Sequence, residues 1–215
     1  MKDIPDFRSF TFFQNIDPQV ILAAVLFFIG VSVLVVVILA AIAALAARSG
    51  PASSGRFLVQ RVDGLDLDQY FAKRATFSTT VRLELPLGPE KVWKALCDEE
   101  FLSWLPTVRG HQYRTDVRAV GARRTLLSVF CALEEQFIVV EQEKTLVYSV
   151  IGASLPGLRD ATERFVLEPT KGGGTLLKWT TGFSPVLVWW LPVRWLSPFI
   201  RPFLKIALSG LRHRV

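Results

Sequence analysis

Apolar and polar positions divide the chain into one long apolar run and a region of mixed polarity behind it. Residues 20–47, with the sequence VILAAVLFFIGVSVLVVVILAAIAALAA, contain no charged side chain. At about 1.5 Å per residue, a helix of this length measures about 42 Å, more than the roughly 30 Å hydrocarbon core of a bilayer. We therefore expect a transmembrane helix at 20–47, after a lead-in at 1–19 in which Asp17 and Pro18 fit a helix start.

A cleaved signal peptide is the alternative explanation for the same run. Its last residues, ALAA at 44–47, resemble a small-residue cleavage site. However, the apolar run is too long for a signal peptide, and the segment before it, MKDIPDFRSFTFFQNIDPQ, is not basic. We therefore expect an uncleaved, single-pass anchor.

Basic residues beside the apolar run indicate its orientation. Lys2 and Arg8 precede the run, whereas Arg48, Arg56 and Arg61 follow it. Basic residues favour the cytoplasmic side of a membrane. The one additional basic residue after the run, together with the basic C-terminal tail, therefore favours a cytoplasmic C-terminal domain.

Behind the anchor, the pattern changes from linker-like to regular. The stretch RSGPASSG opens a predicted linker over 48–75, within which DLDQYFAKR can form a short helix. The alternation in TFSTTVRLELPL then predicts a strand that ends at Pro86. A helix is expected to begin at Pro89, and a second short helix carries Phe101 and Leu105.

The region from Val108 to about Phe183 consists of strand-like segments separated by turn sequences. The clearest turns lie at 120–121, 143–144, 155–157 and 171–174, the last with the sequence KGGG. Successive strands joined by short turns predict an antiparallel meander.

The stretch VLVWWLPVRWLSPFIRPFLKI, residues 186–206, raises the question of a second span. From Trp179 to Val193 the chain has 15 residues without a charge, but one glycine and two prolines interrupt them. This segment is too short and too broken to cross a bilayer. An amphipathic C-terminal helix is expected behind it, with Arg201 and Lys205 on its polar face. Its predicted apolar positions are Phe199, Phe203, Ile206, Ala207 and Leu211.

The net charge of +6 is unevenly distributed. Residues 1–168 hold 18 Lys and Arg against 19 Asp and Glu, whereas residues 169–215 hold seven Lys and Arg and no acidic residue. Next to a membrane anchor, such a tail favours contact with anionic lipid over nucleic acid, and a solvated basic helix face is the alternative. The residues predicted to contact the membrane surface are Trp189, Trp190, Arg194, Trp195, Arg201 and Lys205.

Three segments carry a resemblance to a known family: LPLGPEKVWKALCDEEFLSWLPTV, FIVVEQEKTLVYSVIGA and TERFVLEPTKGGGTLLKWTTGF. With the helix after them, they resemble the START-like (SRPBCC) superfamily, particularly its polyketide cyclase/dehydrase-like branch, over roughly residues 76–215. The resemblance implies an α+β helix-grip fold, in which a curved antiparallel sheet surrounds a long C-terminal helix and encloses an apolar cavity. Members bind lipids, sterols, polyketides or plant hormones, and some catalyse cyclisation or hydroxylation. Fold alone does not choose among these functions.

Metal and cofactor chemistry find no support in the sequence. Neither His111 nor His213 has Cys, Asp or Glu at metal-ligand spacing. The two cysteines, Cys97 and Cys131, form neither a metal motif nor a disulfide framework. KGGGT precedes a strand and therefore predicts a hairpin turn, not a phosphate-binding loop. We expect no metal and no cofactor.

Ligand binding requires only an apolar pocket with a few polar groups. The residues predicted to line it are Trp104, Tyr113, Phe137, Tyr148, Trp179 and Phe203, and the alternative is that these aromatic residues simply fill the core. Acid–base catalysis would need a desolvated group in the cavity. The candidates are Glu134 or Glu135, Glu163, Arg164, Tyr113 and Tyr148. Most lie on strands whose opposite face is solvent, which favours an exposed, salt-bridged side chain instead.

Three functional hypotheses follow. The first is a membrane-anchored START-like domain that binds a lipophilic small molecule at the bilayer surface, with membrane lipid as a partner and no nucleic acid. The second is an accessory or assembly subunit of a larger membrane complex, with other membrane proteins as partners. A cavity filled by large side chains would favour it. The third and least favoured is a cyclase/dehydrase-type enzyme, which predicts a buried carboxylate or histidine with a strongly shifted pKa in an open cavity.

Overall fold

The computed structural model describes residues 18–47, 51–186 and 197–213, and the chain divides into two compact units between Ala44 and Leu45. The first unit contains all but the last three residues of helix α1, Pro18–Ala47. Its segment Val25–Ala44 is, within the described residues, the one helix long and apolar enough to cross a membrane. Length and composition are the criteria, and a signal sequence meets them too.

The second unit is built on one antiparallel sheet of eight strands among the residues described. The strands are β1 (Phe57–Leu58), β2 (Phe77–Leu85), β3 (Val108–Tyr113), β4 (Arg123–Ser128), β5 (Ala132–Glu141), β6 (Thr145–Ala153), β7 (Leu158–Pro169) and β8 (Thr175–Pro185). Their order is β2-β8-β7-β6-β5-β4-β3, and β1 pairs with the end of β6. The predicted α+β fold class and antiparallel meander are confirmed.

The sheet buries one face of each strand because apolar residues alternate with polar ones. In β2, Val81 and Leu85 are buried, whereas Thr80 and Arg82 point the other way and are exposed. Strand pairing aligns Val81 with Trp179, and Trp179 with Phe165, so that these side chains form one row on the same face. We call this the inner face, because the C-terminal helix packs against it.

Helix α3, Pro89–Leu96, starts with Pro at its first position and buries Val92 and Leu96. The second short helix expected behind it does not form. Residues 98–108 make successive turns instead, because Leu102 adopts a left-handed backbone with φ 63°, which an α-helix does not allow. Phe101 and Leu105 are nevertheless buried in the core.

The segment 51–75, predicted to be a linker, is packed against the outer face of the sheet. Val62 and Tyr70 are buried there in one cluster with Val147 of β6, and the Tyr70 hydroxyl donates a hydrogen bond of 2.7 Å to Asp160. The segment is held there by this apolar cluster and by a hydrogen bond of 2.9 Å from the Val62 N–H to Ser149 Oγ on the outer face of β6. The linker is predicted from the stretch RSGPASSG, which is rich in Gly, Ser and Pro. That composition does not reveal the packing of the residues behind it.

The short helix expected within DLDQYFAKR is present. It consists of α2, Leu67–Gln69, continued by a π-helical turn at Tyr70–Arg74. The backbone N–H of Ala75 donates to the carbonyl of Tyr70 and closes the turn.

The C-terminal helix α4 spans Ser197–Ser209 and continues as a 3₁₀ turn at Gly210–His213. Its buried stripe consists of Leu204, Ala207, Leu208 and Leu211, which join the core of the inner face. Burying one such leucine contributes about 1.5–3 kcal/mol. Phe203 and Ile206, expected on the buried face, are 50% and 64% exposed. The helix carries two apolar stripes, and only the one containing Leu204 and Leu208 packs against the sheet.

Both edge strands of the sheet hold backbone contacts with the chain's own loops and tail. On β3, a bulge lies between Val108 and Gly110, and the N–H of His111 donates to the carbonyl of Glu99 at 2.7 Å. Gly110 has φ 123°, and a Cβ there would lie 2.8 Å from the same carbonyl. On β2, the carbonyl of Glu84 accepts a hydrogen bond of 3.0 Å from Arg212.

Candidate ligand-binding site

Polar side chains lie side by side on the inner face because strand register aligns them. Tyr148 is paired with Glu163, Glu163 with Thr181, and Thr181 with Thr79. These four residues, from four neighbouring strands, form what we call the polar row. It runs next to the apolar row of Val81, Trp179 and Phe165.

A buried ion pair lies beyond the Tyr148 end of the polar row. Arg124 and Glu135 are paired across β4 and β5, and their side chains are 0% and 3% exposed. Arg124 Nε donates to Glu135 Oε2 at 2.6 Å, and Nη1 donates to the Tyr113 hydroxyl at 3.1 Å. The guanidinium carbon also lies 4.2 Å from the centre of the Tyr148 ring, as in a cation–π contact.

Arg124 remains charged in this setting. Burial alone would lower its pKa, but the Glu135 carboxylate, with Tyr113 and Tyr148, raises the pKa of Arg124 well above its usual value. Its Nη2 nitrogen is buried and has no hydrogen-bond partner among the described residues. A buried donor without an acceptor is costly, so this nitrogen marks a place where an acceptor is missing.

Glu163 is the titratable centre of the polar row. Its Oε2 accepts hydrogen bonds from the Tyr148 hydroxyl at 2.6 Å and from Trp179 Nε1 at 2.8 Å. Burial and the nearby Glu135 charge raise the pKa of Glu163 to about 7, although the two donors lower it in part. Burial likewise raises the pKa of Tyr148 well above its usual value, so that its hydroxyl stays a donor. The Glu163 side chain is only half-buried despite facing inwards.

The first turns of α4 meet the other end of the polar row. Arg201 Nε donates to Thr79 Oγ1 at 2.9 Å. Thr79 and its neighbour Thr181 are buried. The polar row therefore extends from the buried ion pair to an exposed basic residue of α4.

Of the residues predicted to line a pocket, four lie together. Phe137, Tyr148 and Trp179 are at most 3% exposed, and the half-buried Tyr113 stacks on Phe137 with 6.2 Å between ring centres. Phe165 completes this aromatic cluster by stacking on Trp179 at 5.4 Å. Aromatic rings thus fill the interior beside the polar row.

The other two predicted residues lie apart from this cluster. Trp104 is half-buried, and its Nε1 donates to the carbonyl of Ala207 in α4 at 2.8 Å. It lines a cavity of about 150 Å³ between the end of α3 and the C-terminal 3₁₀ turn. The cavity walls are Ala95, Asp98, Glu100, Phe101, Trp104 and Leu211. Phe203 is half exposed. With Ile206 it forms the apolar stripe of α4 that faces away from the sheet, which we call the outer stripe.

The predicted membrane-surface residues fall into two groups. Arg201 and Lys205 are exposed on α4, close to the exposed Phe203 and Ile206. The rest lie outside the described residues: Trp189, Trp190, Arg194 and Trp195.

Sequence reasoning did not name Arg124 and left Glu134 and Glu135 as alternatives. The structure turns Glu135 inwards, whereas Glu134 forms ion pairs with Arg114 and Arg123. No pattern within a single strand identified the ion pair, because Arg124 and Glu135 face each other only through the register of β4 and β5. Among the described residues, no three His, Cys, Asp or Glu side chains are grouped as metal ligands.

Comparison with known proteins bears on the fold and the family. The family model described as polyketide cyclase / dehydrase and lipid transport matches residues 74–215, about two thirds of the chain. No curated protein matches the sequence.

Solved structures share the fold. A START superfamily protein from Mycobacterium smegmatis is 15% identical with a TM-score of 0.53, covering 64% of this chain and 97% of its own. An uncharacterised protein from Bacillus thuringiensis is 20% identical with a TM-score of 0.50, covering 64% and 98%. The protein XoxI from Bacillus cereus is 21% identical with a TM-score of 0.50, covering 64% and 94%. The resemblance to the START-like superfamily is confirmed, and the chain belongs to the polyketide cyclase / dehydrase and lipid transport family.

Proposed function

We propose that the protein is a membrane-anchored START-like domain that binds a lipophilic molecule at the bilayer surface. The family and the α+β fold support a ligand-binding domain. Helix α1 supports the anchor, because every residue of its Val25–Ala44 segment is uncharged.

The polar row with its buried ion pair carries the proposal. If the core served only for stability, apolar residues would suit these positions better. Burying Arg124 and Glu135 costs desolvation free energy that the attraction between the two charges need not recover. Ligand pockets, in contrast, combine apolar walls with a few polar groups that orient the ligand. The half-buried carboxyl of Glu163 and the unpartnered Arg124 Nη2, beside aromatic side chains, have this composition.

The exposed stripe of α4 supports contact with the membrane. Phe203 and Ile206 present apolar surface next to the exposed Arg201 and Lys205. Apolar and basic side chains together favour the interface of an anionic bilayer. Because Arg201 also bonds Thr79, this surface adjoins the end of the polar row, where a ligand from the bilayer would enter.

Mass spectrometry of small molecules extracted from the gently purified full-length protein tests the proposal. We expect one lipophilic molecule per protein in the wild type. Thr79→Phe places a ring at the α4 end of the polar row and should remove most of it. Thr80→Phe is the matched control, because Thr80 is the neighbouring residue on the exposed side of β2 and should leave the molecule in place.

An accessory or assembly subunit is the second candidate function. The observation that favours it is the filled interior, in which Phe137, Tyr148, Phe165 and Trp179 are at most 3% exposed. This function predicts that the purified protein retains no lipophilic molecule and brings down other membrane proteins in fixed proportion. That outcome of the same extraction would reject lipid binding.

A further inference from the structure

One end of the sheet exposes apolar side chains where its strands are connected. Antiparallel pairing brings the β4–β5 and β6–β7 turns to this end, together with the last residues of β8. Strand β1 lies there too, because it pairs with the end of β6. The side chains of Leu58, Val129, Phe130 and Val186 are exposed at this end, with exposed fractions between 43% and 90%. We call these four residues the apolar end.

The β4–β5 turn holds its two exposed side chains in place. Ser128 Oγ accepts hydrogen bonds from the N–H groups of Phe130, at 3.2 Å, and Cys131, at 2.9 Å. The N–H of Val129 donates to the carbonyl of Thr107 at 2.9 Å. Because these backbone N–H groups already have acceptors, Val129 and Phe130 can enter an apolar phase without bringing unpaired N–H groups into it.

Turn chemistry distinguishes the two ends of the sheet. Polar residues and glycine dominate protein turns, but the turns 129–131 and 154–157 at the apolar end contain no charged residue. At the other end, the β5–β6 turn includes Glu143 and Lys144, and the β7–β8 turn includes Lys171. Exposed apolar residues that are grouped at one end of a domain mark a contact surface.

The chain also enters the second unit at the apolar end. Three residues, 48–50, separate the last residue of α1 from Pro51 in the sequence, and β1 follows at Phe57–Leu58. Arg56 and Arg109 are exposed at this end and belong to no ion pair between described residues. Apolar side chains next to basic ones favour the interface of an anionic bilayer.

Because the tether to α1 is short, we infer that the apolar end inserts into the interface of the bilayer that α1 crosses. The inference rests on the membrane anchor of the proposed function, but not on the binding of a lipophilic molecule. It extends the surface proposed for α4, because Arg201 bonds Thr79 near the start of β2, and that start is paired with the end of β8.

Photo-crosslinking from single positions of the full-length protein tests the inference. Phe130→p-benzoylphenylalanine protein is irradiated in nanodiscs with about 30% anionic lipid, and its adducts are identified by mass spectrometry. Val117→p-benzoylphenylalanine is the matched control, because Val117 is also an exposed apolar residue but lies on the β3–β4 connection at the other end. We expect about fivefold more lipid adduct from position 130 than from position 117.

A third position separates failure of the inference from failure of the anchor. Phe28 lies in the Val25–Ala44 segment of α1, and Phe28→p-benzoylphenylalanine should give lipid adducts if α1 crosses the bilayer. Lipid adducts from position 28, with no more from position 130 than from position 117, would overturn the inference and leave the anchor intact. No lipid adduct from position 28 would reject the anchor, and with it both the inference and the proposed function.

The identity of the adduct decides between lipid and a protein partner. Adducts of position 130 with another protein, in place of lipid, would also overturn the inference, because a partner would then cover the apolar end. If the variant at position 130 does not fold, Val129→p-benzoylphenylalanine repeats the measurement on the same turn. Lipid adducts from position 130 in a protein that retains no lipophilic molecule would support the inference while rejecting ligand binding.

Discussion

Single side chains on the inner face show how partners decide the charge of a buried group. Arg124 keeps its charge because Glu135 lies 2.6 Å away, although burial alone would favour the neutral form. Glu163 has no cation within hydrogen-bond distance and receives only neutral donors, from Tyr148 and Trp179. Burial and the nearby Glu135 charge raise the pKa of Glu163 to about 7. Burial also raises the pKa of Glu135, but Arg124 opposes that change with its charge and its hydrogen bond.

Glu163 should make the stability of the protein fall as pH rises. In the unfolded chain this carboxyl releases its proton near pH 4.3, whereas in the folded protein it holds the proton to about pH 7. The folded state therefore binds more protons between these values, and the free energy of unfolding decreases across that window and then levels off. With a discount for the half-exposed side chain, the loss is on the order of 2 kcal/mol. Glu163→Gln should make this decrease clearly smaller, while Glu135, whose pKa burial also raises, retains a share of it. Urea unfolding of the full-length protein in detergent micelles at several pH values measures the difference.

Glu141→Gln is the control for this experiment, because Glu141 is an exposed carboxylate at the end of β5. It should keep the decrease seen in the wild type. A Glu163→Gln protein with the wild-type dependence on pH would show that Glu163 is not the group responsible.

The sequence allowed Glu163 and Tyr148 to be named as candidates, but not the ion pair as a unit. A charged residue on a strand faces solvent as a rule. Strands β4 and β5 carry charged residues on both faces, so that alternation within them does not say which face is buried. Arg124 and Glu135 become neighbours only through the register of β4 and β5, which depends on contacts across the whole sheet.

At the scale of elements, α4 and the loop after α3 are fixed to each other at one close contact. The Trp104 indole donates to the carbonyl of Ala207 at 2.8 Å and occupies the space where Gly210 would carry a Cβ. Any larger residue at that position would displace the ring. The contact thus explains why the first residue of the 3₁₀ turn is glycine.

Gly210→Ala should destabilise the protein by about 1–3 kcal/mol, because the new methyl group overlaps the Trp104 ring and the ring must shift. The displaced indole would also lose its hydrogen bond to Ala207. The free energy of unfolding of the full-length protein, from urea titration followed by tryptophan fluorescence, measures the effect. Gly172→Ala is the matched control, since a Cβ there meets nothing within 4 Å. Equal stability of the two variants would contradict the prediction.

Patterns within elements predicted the strands better than the faces of the C-terminal helix. Strand alternation has one apolar set, as in β2, where Val81 and Leu85 leave no choice of buried face. In α4, Phe203 and Ile206 compete with Leu204 and Leu208 for the buried side, and both sets have helical spacing. The choice follows from packing against the sheet, which the helix sequence does not contain.

At the scale of the whole molecule, the sheet is covered on both faces. Helix α4 covers the inner face, and the segment 51–75 covers the outer face through Val62 and Tyr70. The family match begins at residue 74, so that almost all of the outer cover lies outside the matched region. This cover could not be predicted from the sequence of 51–75, because its apolar residues do not follow one strand or helix period along the segment.

Anionic lipid should protect α4 of the full-length protein from hydrogen exchange. In nanodiscs with about 30% anionic lipid, we expect exchange in residues 203–212 to be about threefold slower than in zwitterionic nanodiscs, because the outer stripe inserts at the interface. The double substitution Phe203→Ser and Lys205→Glu should remove the difference. Lys171→Glu is the control. It makes the same change of charge on the turn between β7 and β8, and the difference in exchange between the two nanodiscs should remain. Equal exchange of the wild type in both nanodiscs would reject membrane contact by α4.

The contacts at the two edge strands affect what happens when many copies of the protein lie close together. A protein confined to a bilayer meets copies of itself at high local concentration, and free strand edges would let the sheets of two copies join into one. Here Glu99 already accepts the N–H of His111 on β3, and Arg212 already donates to the carbonyl of Glu84 on β2. These two backbone groups are not available to a neighbouring copy, so that each edge offers fewer groups for pairing between two sheets.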